Sequence, residues 1–76
     1  MAMLKLNQLT AGQEATVSYV MGDGPVSQRL LEMGMVPGAS VKVTQLSPWG
    51  GPMMVNLDGY SLSLRSTEAD LITLLS

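Results

Sequence analysis

The sequence predicts a mainly β domain: a small closed barrel of about five short strands, with one helix inserted after the first long strand. Three observations carry that expectation. Apolar and polar residues alternate with a period of two over three separate stretches, the spacing of half-buried strands. Asp58-Gly59 joins two strand-like runs, and both residue types tolerate the positive φ of a type I′ hairpin turn. One segment, Pro25 to Gly34, carries helical spacing instead.

In chain order, the first strand runs from Glu14 to Val20. Ala15, Val17 and Tyr19 fall on one face and Thr16 and Ser18 on the other. Gly22-Asp23-Gly24 forms a loop. Pro25 suits a first helical position and Gly34 the left-handed residue after the last turn. Between them Val26, Leu30 and Met33 recur at i, i+4 and i+7, marking one buried stripe, and Met35 supplies an apolar contact for the cap. Pro37-Gly38 turns the chain into a strand at Ser40–Gln45, where Val41 and Val43 alternate with polar residues.

The hairpin from Met53 to Arg65 is the strongest element. Its turn sets Leu57 opposite Tyr60, Val55 opposite Leu62 and Met53 opposite Leu64, all on one face. The other face pairs Asn56 with Ser61 and Met54 with Ser63. A one-residue slip destroys this agreement. The expected core is the six-residue hairpin face with Val17, Val41, Val43, Leu30 and Met33. A second helical turn is expected at Thr67–Leu71, capped by Thr67 with Glu68 and Asp70 in its first turn. Ile72–Leu75 reads as a closing strand. Residues 1–76 are expected to form a single domain.

Composition narrows the chemistry. Cysteine and histidine are both absent, which removes thiolate nucleophiles, Cys-based zinc sites, the commonest general base and the commonest transition-metal ligand. Glu14, Asp23, Glu32, Asp58, Glu68 and Asp70 are scattered singly, without the spacing of a calcium loop or a Glu-x-x-His pair. No catalytic, cofactor-binding or metal-ligating residue is therefore assigned, and no cofactor is expected. Net charge is −2, whereas a nucleic-acid binder needs a basic stripe to displace counterions. The longest uncharged span, Val43 to Leu57, contains two prolines and two glycines and falls short of the ~20 apolar residues of a membrane-spanning helix. The expectation is a cytoplasmic protein with no direct membrane insertion.

Surfaces remain as the place for function. Trp49 lies in Ser47-Pro48-Trp49-Gly50-Gly51-Pro52, a loop tip by composition. It is either folded back over the barrel end or exposed to a partner. Met54 is expected on the outer face, where with Trp49 it begins an apolar patch. Leu31 falls off the helical stripe. Arg29 precedes Glu32 by three residues, the spacing of an ordinary surface ion pair. Arg29, Leu31, Trp49 and Met54 are the candidate partner-binding residues.

The run Arg29-Leu30-Leu31-Glu32-Met33-Gly34-Met35-Val36-Pro37-Gly38 resembles the signature of the FeoA family of ferrous iron transport accessory proteins. Leu9-Thr10-Ala11-Gly12-Gln13 resembles the family's opening Leu-x-x-Gly, and Ser47–Pro52 its Pro-x-Gly-x-Pro loop. Asp58–Arg65 resembles its Gly-x-x-small-Leu-Arg strand, so the likeness covers nearly the whole chain. Trp49 departs from the pattern, where a smaller or less aromatic residue is expected. The resemblance implies a Src-homology-3-like small β-barrel acting in the cytoplasm with FeoB, a membrane ferrous iron permease carrying a GTP-binding domain. It implies transition metal association only at the level of the family, and recruitment to the inner face of the membrane by that partner.

The functional expectation is a non-enzymatic accessory protein that binds and modulates a FeoB-type transporter. Two alternatives stand beside it: a nucleic-acid-binding small barrel, against which the charge argues, and a direct Fe(II) carrier. Arg29 and Arg65 are the only arginines that could be offered to a GTP-binding domain. Of the two, Arg29 is the better placed, on the helix, though docking without acceleration of hydrolysis is the favoured mode.

Overall fold

The structure, a computed structural model, describes residues 3–75 of the chain. Its elements are β1 (Met3–Lys5), a 3-10 turn (Leu6–Gln8), β2 (Glu14–Val20), α1 (Pro25–Glu32), β3 (Ser40–Gln45), β4 (Met53–Leu57), β5 (Tyr60–Leu64), α2 (Ser66–Ala69) and β6 (Ile72–Leu75). All strand pairings are antiparallel, in the order β1-β6-β2-β3-β4-β5. The mainly β architecture with one inserted helix and a short C-terminal helical turn is as expected. Closure is not: among the described residues hydrogen bonds leave β1 and β5 as free edges, so the barrel-like sheet is open.

The hairpin register follows the turn. Asp58 and Gly59 take φ of +48° and +96°, as a type I′ turn needs, and the five predicted cross-strand pairs form as read. Met53, Val55, Leu57 and Leu64 are buried, but Leu62 is only half-buried and Tyr60 is 73% exposed. The predicted core face is thus corrected at its free-edge side: β5 has no strand beyond it to cover Tyr60 and Leu62.

The first strand is corrected in the same way. Val17 pairs with Leu74, but the next pair is Tyr19 with Thr73, so Ser18 is an extra residue in β2. A bulge of this kind reverses the facing of everything after it. Tyr19, expected inward, is 46% exposed, and Val20 packs on the core in its place. A second bulge lies between Val43 and Gln45 in β3.

Helix α1 ends as its sequence indicates. Gly34 has φ +108°; its N–H donates to the carbonyl of Leu31, and the Met35 N–H to that of Leu30, each at 3.0 Å. This paired arrangement satisfies two carbonyls that the helix end would otherwise leave free, and Met35 is buried beside Leu30. The buried stripe is rotated from the one predicted. Val26 is 39% exposed, while Ser27 is buried and donates its hydroxyl to the Met21 carbonyl at 2.5 Å. That bond fixes the rotation of α1, so Ser27 and Leu30 face inward and Met33 packs at the core's margin. The second helix starts earlier than expected, at Ser66, with Arg65 rather than Thr67 at its N-cap.

Strand β6 lies between β1 and β2 and buries Ile72, Thr73 and Leu74. With Leu6, Leu9, Met35, Ala39 and Ala69 these complete a core larger than the sequence indicates.

Candidate functional site

The loop between β3 and β4 closes on itself. The Ser47 hydroxyl donates to the Pro52 carbonyl at 2.6 Å, and the Gly50 N–H to the Ser47 carbonyl at 3.2 Å. Gly50 takes φ +74°, and a Cβ on Gly51 would lie 3.2 Å from the Ser47 Cβ. The loop is therefore tightly folded, and it holds the Trp49 indole 90% exposed. Of the two placements open to Trp49, the exposed one is found. An indole held outward on a closed loop loses little conformational freedom when it meets a partner, the property that makes tryptophan effective at interfaces.

Beside this loop lies an open cavity of about 600 Å³, walled by Gly50, Gly51 and Pro52 on one side and by Ser63, Arg65 and Ser66 to Glu68 on the other. Glu68 organises its far wall. It is the third helical residue of α2, and its Oε1 accepts the Arg65 N–H at 2.8 Å, which covers a donor that the helix start leaves free. Its Oε2 pairs with the Arg29 guanidinium across from α1. The Arg65 backbone donor is the main effect holding the Glu68 carboxyl below its ordinary range; burial opposes it, and the hydrogen bond and charge of Arg29 add to the lowering. The expected Arg29–Glu32 pair is thereby corrected: α1 points Arg29 at α2, and the partner lies 39 residues away in sequence.

The four candidate residues do not share one element. Arg29 and Leu31 lie on α1, Trp49 on the β3–β4 loop, and Met54 on β4 opposite Ser63. None of the four lines the cavity; Arg29, Trp49 and Met54 each adjoin one wall residue, Arg29 through its ion pair with Glu68, Trp49 in sequence beside Gly50, and Met54 across the ladder from Ser63. Leu31 is half-buried on the helix. Sequence reasoning missed the cavity walls themselves. Ser63, Arg65 and Glu68 come together only because β5 runs straight into α2. The available signal was a Glu three residues after the strand's last arginine, the spacing of a helix-start pair.

Among the described residues no three acidic side chains gather as a metal site would require. The only other ion pair described is Lys5 with Asp70 at 3.8 Å, on the exposed surface. No described helix is long and apolar enough to cross a membrane.

Residues 4–74 match the FeoA domain family. A fusion protein of Porphyromonas gingivalis, Fe(2+) transport protein A joined to the Fe(2+) transporter FeoB, is 35% identical over 66 residues. The match takes in 87% of this chain but 8% of that protein, so the chain corresponds to a small part of its relative. The solution structure of FeoA from Chlorobium tepidum superimposes with a TM-score of 0.84 at 41% identity, covering 93% of this chain and 68% of that one. The FeoA of Stenotrophomonas maltophilia complexed with zinc, described as a prokaryotic SH3 domain protein, gives a TM-score of 0.84 at 26% identity, covering 95% and 89%. The barrel-like sheet seen here is of that Src-homology-3-like kind.

Proposed function

The chain belongs to the FeoA family, and on that premise we propose that it is a non-enzymatic accessory module of ferrous iron uptake, a single domain over residues 1–76 that binds and modulates a FeoB-type transporter. The observation that carries this reading is the Porphyromonas gingivalis relative, in which the matching region and a FeoB transporter share one chain. Covalent fusion holds two modules at a high effective concentration, an arrangement that serves modules that work in contact. The contact is made in the cytoplasm, at the transporter's GTP-binding region.

The surface offered to that partner is the β3–β4 loop with Trp49 at its tip, flanked by Met54 and by the Arg29 end of the cavity. Leu31 contributes at the margin. Arg29 is already paired with Glu68, which supports docking in preference to insertion of an arginine into the GTPase site.

The test is capture from cytoplasmic membranes with the wild-type chain as bait. A FeoB-type transporter retained by wild type and lost with Trp49→Ala supports the reading. Retention of no transporter, together with stoichiometric micromolar binding of Fe(II) in anaerobic dialysis, replaces it with a direct carrier.

A further inference from the structure

The free edge of β5 is unusual for what it lacks. Exposed sheet edges in monomeric proteins carry inward charges, prolines, bulges or lysines that prevent strand addition. Tyr60-Ser61-Leu62-Ser63-Leu64 has no charge and no proline, and its ladder with β4 runs without a register shift. The opposite edge, β1, ends at Lys5.

The hairpin fixes which backbone groups this edge presents. In a type I′ hairpin the pair flanking the turn exchanges hydrogen bonds, and bonded pairs recur every second residue. Tyr60, Leu62 and Leu64 therefore turn their N–H and C=O groups toward β4, and Ser61 and Ser63 turn theirs outward. The outward row stops at Arg65, whose N–H is taken by Glu68. Two donors and two acceptors thus stand in line at the free edge.

The five residues are also symmetric about Leu62. We propose that β5 pairs antiparallel with β5 of a second copy of this chain, about a two-fold axis at Leu62. In that register Ser61 lies opposite Ser63 of the second copy, and the two such pairs exchange four backbone hydrogen bonds. Leu62 meets Leu62 of the second copy as a close non-hydrogen-bonded pair, with Cα atoms ~4.5 Å apart. Tyr60 lies opposite Leu64 of the second copy, so the edge positions exposed in one chain, Tyr60 and Leu62, are covered together. Serine faces serine and apolar faces apolar, with no mismatch.

The ends match in charge. Arg65 lines the cavity beside β5, and among the ion pairs of the described residues it has no carboxylate partner. The same register brings Gly59 of the second copy opposite Arg65, with Asp58 next to it at the turn. Asp58 is exposed, and its Oδ1 accepts the Ser40 N–H at 3.1 Å, leaving its other oxygen free for a cation. The interface is isologous, so the ion pair occurs twice. One short edge buries less than the ~1,200 Å² of a standard stable interface, so the dimer is weak and concentration-dependent. The pairing draws on Ser63 and Arg65, which wall the cavity beside the Trp49 loop, and its test reads self-association of the chain alone, with no transporter present.

The test combines analytical ultracentrifugation with amide exchange of the full chain over roughly a fiftyfold range of concentration. The proposal expects a rising dimer fraction, with exchange of the Ser61 and Ser63 amides slowing in step. Ser63→Pro removes an N–H that the single chain does not use; it should melt as wild type when dilute and stay monomeric when concentrated. Arg65→Glu, on an exposed side chain, should lower the association constant about tenfold or more by placing like charges together. A chain that is monomeric throughout, Ser61 and Ser63 amides that exchange freely at the highest concentration, or a dimer that survives both substitutions overturns it. If Ser63→Pro fails to fold, the exchange pattern and Arg65→Glu decide.

Discussion

Leu62 and Leu64 offer a controlled comparison of burial. They lie on one strand and one face, with the same side chain, yet Leu64 is 1% exposed and Leu62 is half-buried at the free edge. Truncating a fully buried leucine costs ~2–5 kcal/mol, the transfer of its methyl groups plus the cavity left behind. At the edge part of that transfer is already forgone and the hole opens to water, so Leu62→Ala should cost about half, ~1–2 kcal/mol. A chain of this length has a stability of about 4–11 kcal/mol, and each kcal/mol moves Tm by ~4–8 °C in domains of this size. Leu64→Ala should therefore lower Tm by ~8–40 °C, and Leu62→Ala by ~4–16 °C. The assay is urea and thermal unfolding of both variants and wild type in dilute solution, where the single chain alone is measured. A Leu62→Ala cost equal to or above that of Leu64→Ala would refute the reasoning, because it would mean that the sheet curls to cover β5.

Three further outcomes follow from named contacts. Gly34→Ala forces a side chain into φ +108° with its Cβ 3.4 Å from the Leu57 Cδ2, and should cost about 1–3 kcal/mol, read by urea unfolding. Glu68 has its folded pKa depressed by the Arg65 N–H and the Arg29 charge. Its stabilising effect is thus present above the ordinary carboxylate range and lost as pH falls through the folded value; Glu68→Gln should flatten the acid limb of a stability-versus-pH curve. Trp49→Ala should change stability by no more than ~0.5 kcal/mol, as exposed substitutions do, and the wild-type indole should emit at the wavelength of a water-exposed tryptophan.

Much of the fold was legible because local chemistry pins it. Asp58-Gly59 admits essentially one hairpin register, and Pro25 and Gly34 bracket α1 to within a residue or two. What escaped depends on partners distant in sequence. Ser18 becomes a bulge only because β6 offers one residue fewer than β2, and Tyr19 turns outward as a consequence. Ser27 is drawn inward by a single carbonyl at Met21, which no apolar spacing can signal. Tyr60 fits its face by pattern but lies where the sheet ends. At the candidate site, the exposed loop tip was readable from Pro48, Gly50, Gly51 and Pro52, while the Arg29–Glu68 pair was hidden because two helices, not one, supply it. The family likeness placed the chain; the residues proposed to meet a partner rest on exposure and geometry.

The most direct test of the account is a calorimetric titration of the purified cytoplasmic GTP-binding region of the cognate FeoB-type transporter with the wild-type chain and with Trp49→Ala. Saturable binding by wild type, weakened by ~2 kcal/mol or more in the correctly folded Trp49→Ala variant as for an interface hot spot, is the predicted result. Absence of binding by the wild-type chain, or identical affinity of the two proteins, would contradict it.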